Sequence, residues 1–186
     1  MKFQDDNVYI ENVLNGNVSA YASLVAKHKN LVFSIVLKIV NNREDAEEIS
    51  QDVFLKAYQS LKSFEGKSKF STWLYRIAYN AAISKTRKKR FEMVPLEDNV
   101  IKNYSTDEIS QNMNTLEETD RQAVLEKALH RLPEEDNLLI TLFYKNESSM
   151  EDISYITGLS LSNVKVRLHR IRKKLYDEMQ EITGKN

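Results

Sequence analysis

Cysteine is absent from this chain of 186 residues. That excludes disulfides, thiolate zinc sites, iron–sulfur clusters and cysteine nucleophiles together, and it accords with a reducing compartment. Proline (two) and glycine (four) are scarce, and hardly any window alternates as a half-buried strand does, so an all-α fold is expected. Long apolar runs are missing too. The longest, Leu31 to Val40, is broken by Ser34 and Lys38 and falls far short of the roughly 20 residues that span a bilayer. Residues 1–20 carry Asp5, Asp6 and Glu11 without a basic start followed by an apolar stretch, so export is not expected and a cytoplasmic location is. Catalytic constellations are lacking as well. His28, His130 and His169 are scattered, with no metal-binding pair and no glycine loop to cradle a phosphate, so neither an enzyme nor a cofactor or metal is expected. Glu126 and His130 stand one helical turn apart, a spacing that suits a surface contact.

Net charge is zero, with 27 basic and 27 acidic residues, but the zero is a cancellation. Residues 1–60 hold six Lys/Arg against eight Asp/Glu, residues 61–92 nine against two, residues 93–160 five against fourteen, and residues 161–186 seven against three. Two basic segments alternating with two acidic ones suggest two surfaces for a polyanion. The acidic block could also mask the basic faces through contacts that salt screens over about 10 Å.

Helical spacing organises the chain into two small domains, expected at residues 1–92 and 119–186, joined by a flexible acidic linker at 93–118 that has lost periodicity. In the first, Tyr21, Leu24, Val25, His28, Leu31, Val32, Ile35, Val36 and Ile39 form one stripe that ends at Asn41 and Asn42. A second helix, about Glu44 to Leu61, buries Ala46, Ile49, Val53, Phe54, Ala57 and Leu61 and turns Glu47, Glu48, Gln51, Asp52 and Lys56 outward. Residues 63–70 read as a loop turning at Gly66, with Ser68 or Ser71 placed to cap the helix that follows. On that helix Trp73, Tyr75 and Tyr79 interleave with Arg76, Lys85, Arg87, Lys88, Lys89 and Arg90, a composition suited to unpaired bases. Trp73, Arg76, Asn80, Ile83 and Arg87 share one face, and Leu74, Ile77, Ala78 and Ala81 the buried one. Phe70 reads as core.

In the second domain a helix striped by Val124, Leu125, Ala128, Leu129 and Leu132 stops at Pro133. A short helix carries Leu138, Leu139, Leu142 and Phe143, and Ser149 with Asp152 resembles a capping box. Gly158 then supplies a tight turn before a basic helix beginning at Ser160 or Leu161, the signature of a helix-turn-helix. Leu161, Val164, Leu168, Ile171 and Leu175 point inward. At about 100° per residue the other side holds Ser162, Asn163, Val166, His169, Arg170 and Lys173, flanked by Lys165, Arg167, Arg172 and Lys174. Such a face can read a DNA groove, its first residues meeting base edges and its later cations phosphates. A plain helix-turn-helix regulator would account for this half alone, and a helical protein-binding adaptor for the charged faces alone.

The stretches Asp45-Ala-Glu-Glu-Ile-Ser-Gln-Asp-Val-Phe54 and Phe70-Ser-Thr-Trp-Leu-Tyr-Arg-Ile-Ala-Tyr-Asn80 resemble the second domain of bacterial RNA polymerase sigma factors of the extracytoplasmic-function group. Leu132-Pro133 and the segment Val164-Lys-Val-Arg-Leu-His-Arg-Ile-Arg-Lys-Lys-Leu175 resemble their fourth. The resemblance implies a promoter-specificity subunit. Glu47, Glu48, Gln51, Asp52 and Lys56 would dock on the clamp helices of the largest polymerase subunit. Phe64, Lys67, Trp73, Arg76, Asn80 and Arg87 would engage the melted −10 element, and Ser162, Asn163, Lys165, Val166, Arg167, Arg170 and Lys173 the duplex −35 element. Residues 120–146 would meet the flap of the second-largest subunit, and the linker would run toward the active-site channel. Members of the group are commonly held by an anti-sigma protein, so such a partner is implied. Ser160-Leu-Ser-Asn163 replaces the Pro-Val-Gly-Thr frequent in the group, which leaves the helix start intact and changes the expected promoter preference. Ser154 stands where alanine is common and is expected to be harmless.

Overall fold

The computed structural model describes residues 4–91, 118–144, 146 and 148–184. Among these the regular structure is helical throughout, and the helices form two compact units. The expected linker at 93–118 lies outside the described residues except for Glu118, which already belongs to a helix.

The first unit contains α1 (Gln4–Leu14), α2 (Ala20–Val40), α3 (Arg43–Gln59), a 3-10 turn at Leu61–Ser63 and α4 (Phe70–Phe91). The Asn41-Asn42 pair makes the corner between α2 and α3. Asn41 takes the left-handed conformation (φ 50°) and returns its amide to the Leu37 carbonyl, ending α2. Asn42 is extended and its side chain accepts the Asp45 amide at 2.9 Å, starting α3. Asparagine suits both positions, because its short amide tolerates the left-handed region and also caps a helix start. Leu24, Val32, Ile35 and Val36 of α2 are buried with Ala46, Val53 and Ala57 of α3 and Leu74, Ala78 and Ala82 of α4. The small alanines let three helices approach closely around α2. Of the stripe expected on α2, Leu24, His28, Val32, Ile35, Val36 and Ile39 are buried and Tyr21, Val25 and Leu31 half-buried; the stripe expected on the next helix is buried throughout, with its last member, Leu61, in the 3-10 turn beyond α3. On α4 the buried face also includes Tyr75 and Ala82, while Ile77 and Ala81 are half-buried. Lys69 rather than a serine precedes α4, its carbonyl accepting the Trp73 amide at 3.1 Å.

The second unit is built on α5 (Glu118–Arg131), α6 (Glu134–Tyr144) and α8 (Leu161–Thr183), with most of the short α7 (Met150–Thr157) between the last two. Pro133 sits between α5 and α6, and Asn137 closes the corner by donating its side-chain amide to the Leu129 carbonyl at 2.7 Å. Leu132, Leu138, Leu142, Ile153, Val164, Leu168 and Ile171 are buried. Of the inward stripe expected on α8, Val164, Leu168 and Ile171 are buried, and Leu161 and Leu175 at its two ends are half-buried. At the other end of this helix Arg131 of α5 pairs with Glu178 at 3.1 Å. No helix among the described residues is long and apolar enough to cross a membrane.

Candidate nucleic-acid interfaces

Three surfaces collect the residues singled out in the sequence. On α3, Glu47, Glu48, Gln51, Asp52 and Lys56 are all exposed, opposite the buried stripe. Arg43 donates to Glu47 at 2.9 Å one turn away. Lys85 of α4 reaches across to Asp45 at 3.3 Å and Glu48 at 3.6 Å, so part of the basic charge on α4 is met by α3. Two further residues belong to this face. Leu55 is 57% exposed and Tyr58 is also exposed, an apolar residue and an aromatic one among polar neighbours. The signal was present in the sequence, since Leu55 is an apolar residue that falls outside the inward stripe.

The second surface lies where the 3-10 turn leads into α4. Gly66 makes the turn with φ 69°, a conformation that a residue with Cβ rarely adopts. Phe64 then packs on Phe70 (ring centroids 5.7 Å apart) and Trp73 (5.4 Å), and Phe70 on Trp73 (5.7 Å). Phe70 is buried, as expected, while Phe64 and Trp73 are half-buried. Arg76 and Asn80 continue this face along α4 and are exposed. Lys67 is exposed and pairs with Glu65 in the same loop. The side chain of Arg87 lies outside the described residues. Tyr75 corrects the sequence reading, because it is buried and so belongs to the core rather than to an accessible aromatic row. Its phenol pKa is raised by burial, with the nearby Asp6 charge adding to the rise.

The third surface is the helix-turn-helix. Ser149 and Asp152 form the reciprocal capping box at the start of α7: the Asp152 amide donates to Ser149 Oγ at 3.0 Å and the Ser149 amide to Asp152 Oδ2 at 3.1 Å. Gly158 turns the chain with φ 76°. Ser154, expected to be harmless, closes the turn by donating to the Leu159 carbonyl at 2.6 Å. Ser160 caps α8, its Oγ accepting the Asn163 amide at 3.3 Å. Ser162, Asn163, Lys165, Arg170 and Lys173 are exposed on one side of α8, with Val166 and His169 half-buried at its margin.

Arg167 does not join them. Its guanidinium donates to Glu135 and Asp136 in the first turn of α6, at 3.1 Å each, and 32% of its side chain is accessible. Burial alone would lower its pKa, but the hydrogen bonds it donates to these carboxylates turn the net shift upward and hold the charge. Arg172 faces the other end of α6, with its guanidinium 5.2 Å from the Phe143 ring centre and 5.5 Å from that of Tyr144. Two of the arginines on the basic helix therefore fasten α8 to α6, one at each end. Sequence spacing placed both on the flanks of the helix and could not identify their partners.

Comparison with known proteins agrees with these two units. Residues 24–92 match the family model described as Sigma-70 region 2, and residues 122–175 match the one described as Sigma-70, region 4. An ECF RNA polymerase sigma-E factor of Haemophilus influenzae is 32% identical over 185 residues, covering 95% of this chain and 96% of the relative. The ECF RNA polymerase sigma factor SigW of Bacillus subtilis is 29% identical over 184 residues, with 93% and 96% covered. Among solved structures, CnrH in complex with the cytosolic domain of CnrY has a TM-score of 0.65 at 22% identity, covering 96% of this chain and 99% of that one. The sigma factor RpoE of Bartonella quintana, solved with the anti-sigma factor NepR, has a TM-score of 0.62 at 24% identity, covering 86% and 96%. The two structural likenesses speak to the fold.

Proposed function

Because the chain belongs to the extracytoplasmic-function RNA polymerase sigma factors, a family of promoter-recognition subunits, we propose how its two units divide the work of starting transcription. The subunit itself performs no catalysis, which is the polymerase's part. In our reading the exposed face of α3, with Glu47, Glu48, Gln51, Asp52, Lys56 and the newly recognised Leu55 and Tyr58, docks on the clamp helices of the largest polymerase subunit. An apolar side chain ringed by polar ones is the composition of an interface centre, where aromatic and apolar anchors are desolvated and the charged rim confers specificity.

The Phe64–Trp73 platform, together with Lys67, Arg76, Asn80 and Arg87, meets the opened −10 element. A base stacked on an aromatic ring gains about 1–3 kcal/mol, comparable to the few kcal/mol that unstacking it from the duplex requires. The platform therefore favours the melted strand without needing to force the duplex apart. The α8 face formed by Ser162, Asn163, Lys165, Val166, Arg170 and Lys173 lies in the major groove of the −35 element. Its short polar residues at the helix start can reach base edges, and its later cations can hold phosphates. Arg167 leaves that set and serves α8 from behind. Residues 120–146 face the flap, residues 93–118 run toward the active-site channel, and the protein works in the cytoplasm, where the polymerase is. The similar sigma factor RpoE, solved with the anti-sigma factor NepR, supports a partner of that class here.

The observation that carries this reading is the pairing of an accessible aromatic platform beside cations in one unit with a capped, basic helix-turn-helix in the other. A duplex-binding regulator needs only the second. Mixing the purified chain with core RNA polymerase and fragmented genomic DNA, then mapping transcript starts, tests it. New starts sharing two spaced elements are expected. Polymerase binding without new starts would leave only an adaptor role.

A further inference from the structure

Asp6 on α1 and His28 on α2 are ionisable, buried, and used by none of the three surfaces. A buried ion pair contributes little more to stability than well-packed apolar residues of the same volume, so its presence calls for another explanation. The geometry supplies one. Asp6 Oδ1 accepts from Lys27 Nζ at 2.7 Å, and Oδ2 lies 3.1 Å from His28 Nε2. An ionised carboxylate only accepts, so Nε2 carries the proton and the imidazole is fixed in rotation as well as in place. The ring so held packs against Phe70, centroids 5.6 Å apart and planes at 61°. Phe70 in turn touches both Phe64 and Trp73. Phe64 belongs to the loop after the 3-10 turn, outside any helix, and among the described residues its ring meets the rings of Phe70 and Trp73. α1 also packs against the 3-10 turn from which that loop departs.

We propose that Asp6 and His28 are positioning residues that set the Phe64–Trp73 platform for an unpaired base, through the contact path Asp6, His28, Phe70. The inference rests on the reading that this platform meets the opened −10 strand. Asp6 lies ahead of the segment matched to Sigma-70 region 2, so the first helix of this chain contributes to a site assembled within that segment. An apolar residue at position 28 would fill the same space without fixing the plane against which Phe70 rests.

Trp73 is the only tryptophan in the chain, so its emission reports on the platform directly. The full-length protein and its holoenzyme would be compared as Asp6→Ala, Asp6→Asn, His28→Gln and, as a control on the same helix, the buried Ile10→Ala. Promoter opening would be read from 2-aminopurine placed in the −10 strand of a promoter found by start mapping. Asp6→Ala is expected to shift Trp73 emission and lower the open fraction about tenfold, equivalent to the low end of one base–aromatic stack. Asp6→Asn, which keeps an acceptor for His28, recovers most of both. His28→Gln keeps a donor to Asp6 but removes the ring, and reproduces the opening defect even if Asp6→Ala folds poorly. Ile10→Ala lowers the melting temperature and moves neither readout. The inference is overturned if Ile10→Ala, at equal thermal loss, shifts Trp73 and opening as much as Asp6→Ala does, or if His28→Gln behaves as the wild type. Should the wild-type holoenzyme itself fail to open DNA, the proposed function fails, while the emission arm still decides whether Asp6 sets the platform.

Discussion

Replacing Arg167 by glutamine separates two roles that a basic helix confuses, holding the fold and holding phosphate. The guanidinium lies between Glu135 and Asp136, 3.1 Å from each, on a side chain that is two-thirds covered. Charge-assisted hydrogen bonds are the stronger kind, but Glu135 is largely solvated, and screening leaves the pair contributing about 1 kcal/mol. In a helical unit of this size that loss lowers the melting temperature by roughly 4–8 °C. The double variant Glu135→Gln/Asp136→Asn should lose a similar amount. Combining it with Arg167→Gln should add little, because all three substitutions break one interaction.

Salt dependence supplies the second arm. Each phosphate neutralised by the protein contributes about 0.9 to the slope of log K against log salt for duplex DNA. Lys173→Gln, on the exposed side of α8, should therefore reduce the slope for holoenzyme binding to a −35 duplex by about one. Arg167→Gln should weaken binding through a less firmly held helix and leave the slope unchanged. A slope reduced by one in Arg167→Gln, together with an unchanged melting temperature, would refute the reasoning and return this arginine to the DNA-facing set.

Asn80→Ala should impair opening at the −10 element while sparing polymerase affinity and changing stability by less than about 0.5 kcal/mol, since the residue is exposed; equal loss of opening and polymerase affinity would show that its role is misplaced. Leu55→Asp should weaken polymerase binding by more than about 1 kcal/mol in a pull-down titration and leave the melting temperature unchanged; unaltered affinity would remove this residue from the docking face. Burial pushes the Asp6 carboxyl pKa upward, but hydrogen bonds from His28 and Lys27 outweigh it and the net shift is downward. With the folded value depressed, the contribution of Asp6 is present above the usual carboxylate range and is lost as pH falls through the folded value, so Asp6→Asn should flatten the melting temperature below about pH 4. His28, Lys27 and Tyr75 are the groups facing that carboxyl, and an unchanged acid limb in Asp6→Asn would assign the loss elsewhere. Gly158→Ala meets no atom within 4 Å, yet φ at this turn is 76°. It should destabilise the helix-turn-helix by about 1 kcal/mol, a strain that thermal unfolding measures directly.

What the sequence made legible follows from the range of the interactions involved. Caps and turns are local, so the Asn41-Asn42 corner, the Ser149–Asp152 box, the Gly158 turn and the Ser160 cap follow from neighbours a few residues away. Helix faces repeat every turn, so the inward stripe of α8 and the outward acids of α3 could be drawn before any coordinates. Helix α1 was missed because its apolar positions are few, and what anchors it is partly a carboxylate, Asp6, whose partners stand 21 and 22 residues away. Arg167 and Arg172 were placed correctly on the flanks of α8, but a flank of one helix is the seam with another, and a helical wheel cannot say which flank is covered. Of the four cations first assigned to the −35 element, Lys165, Arg170 and Lys173 are exposed on α8, whereas Arg167 is engaged by Glu135 and Asp136. Exposure alone does not make a phosphate contact, so the salt slope is the quantity that separates cations that hold DNA from cations that hold the fold.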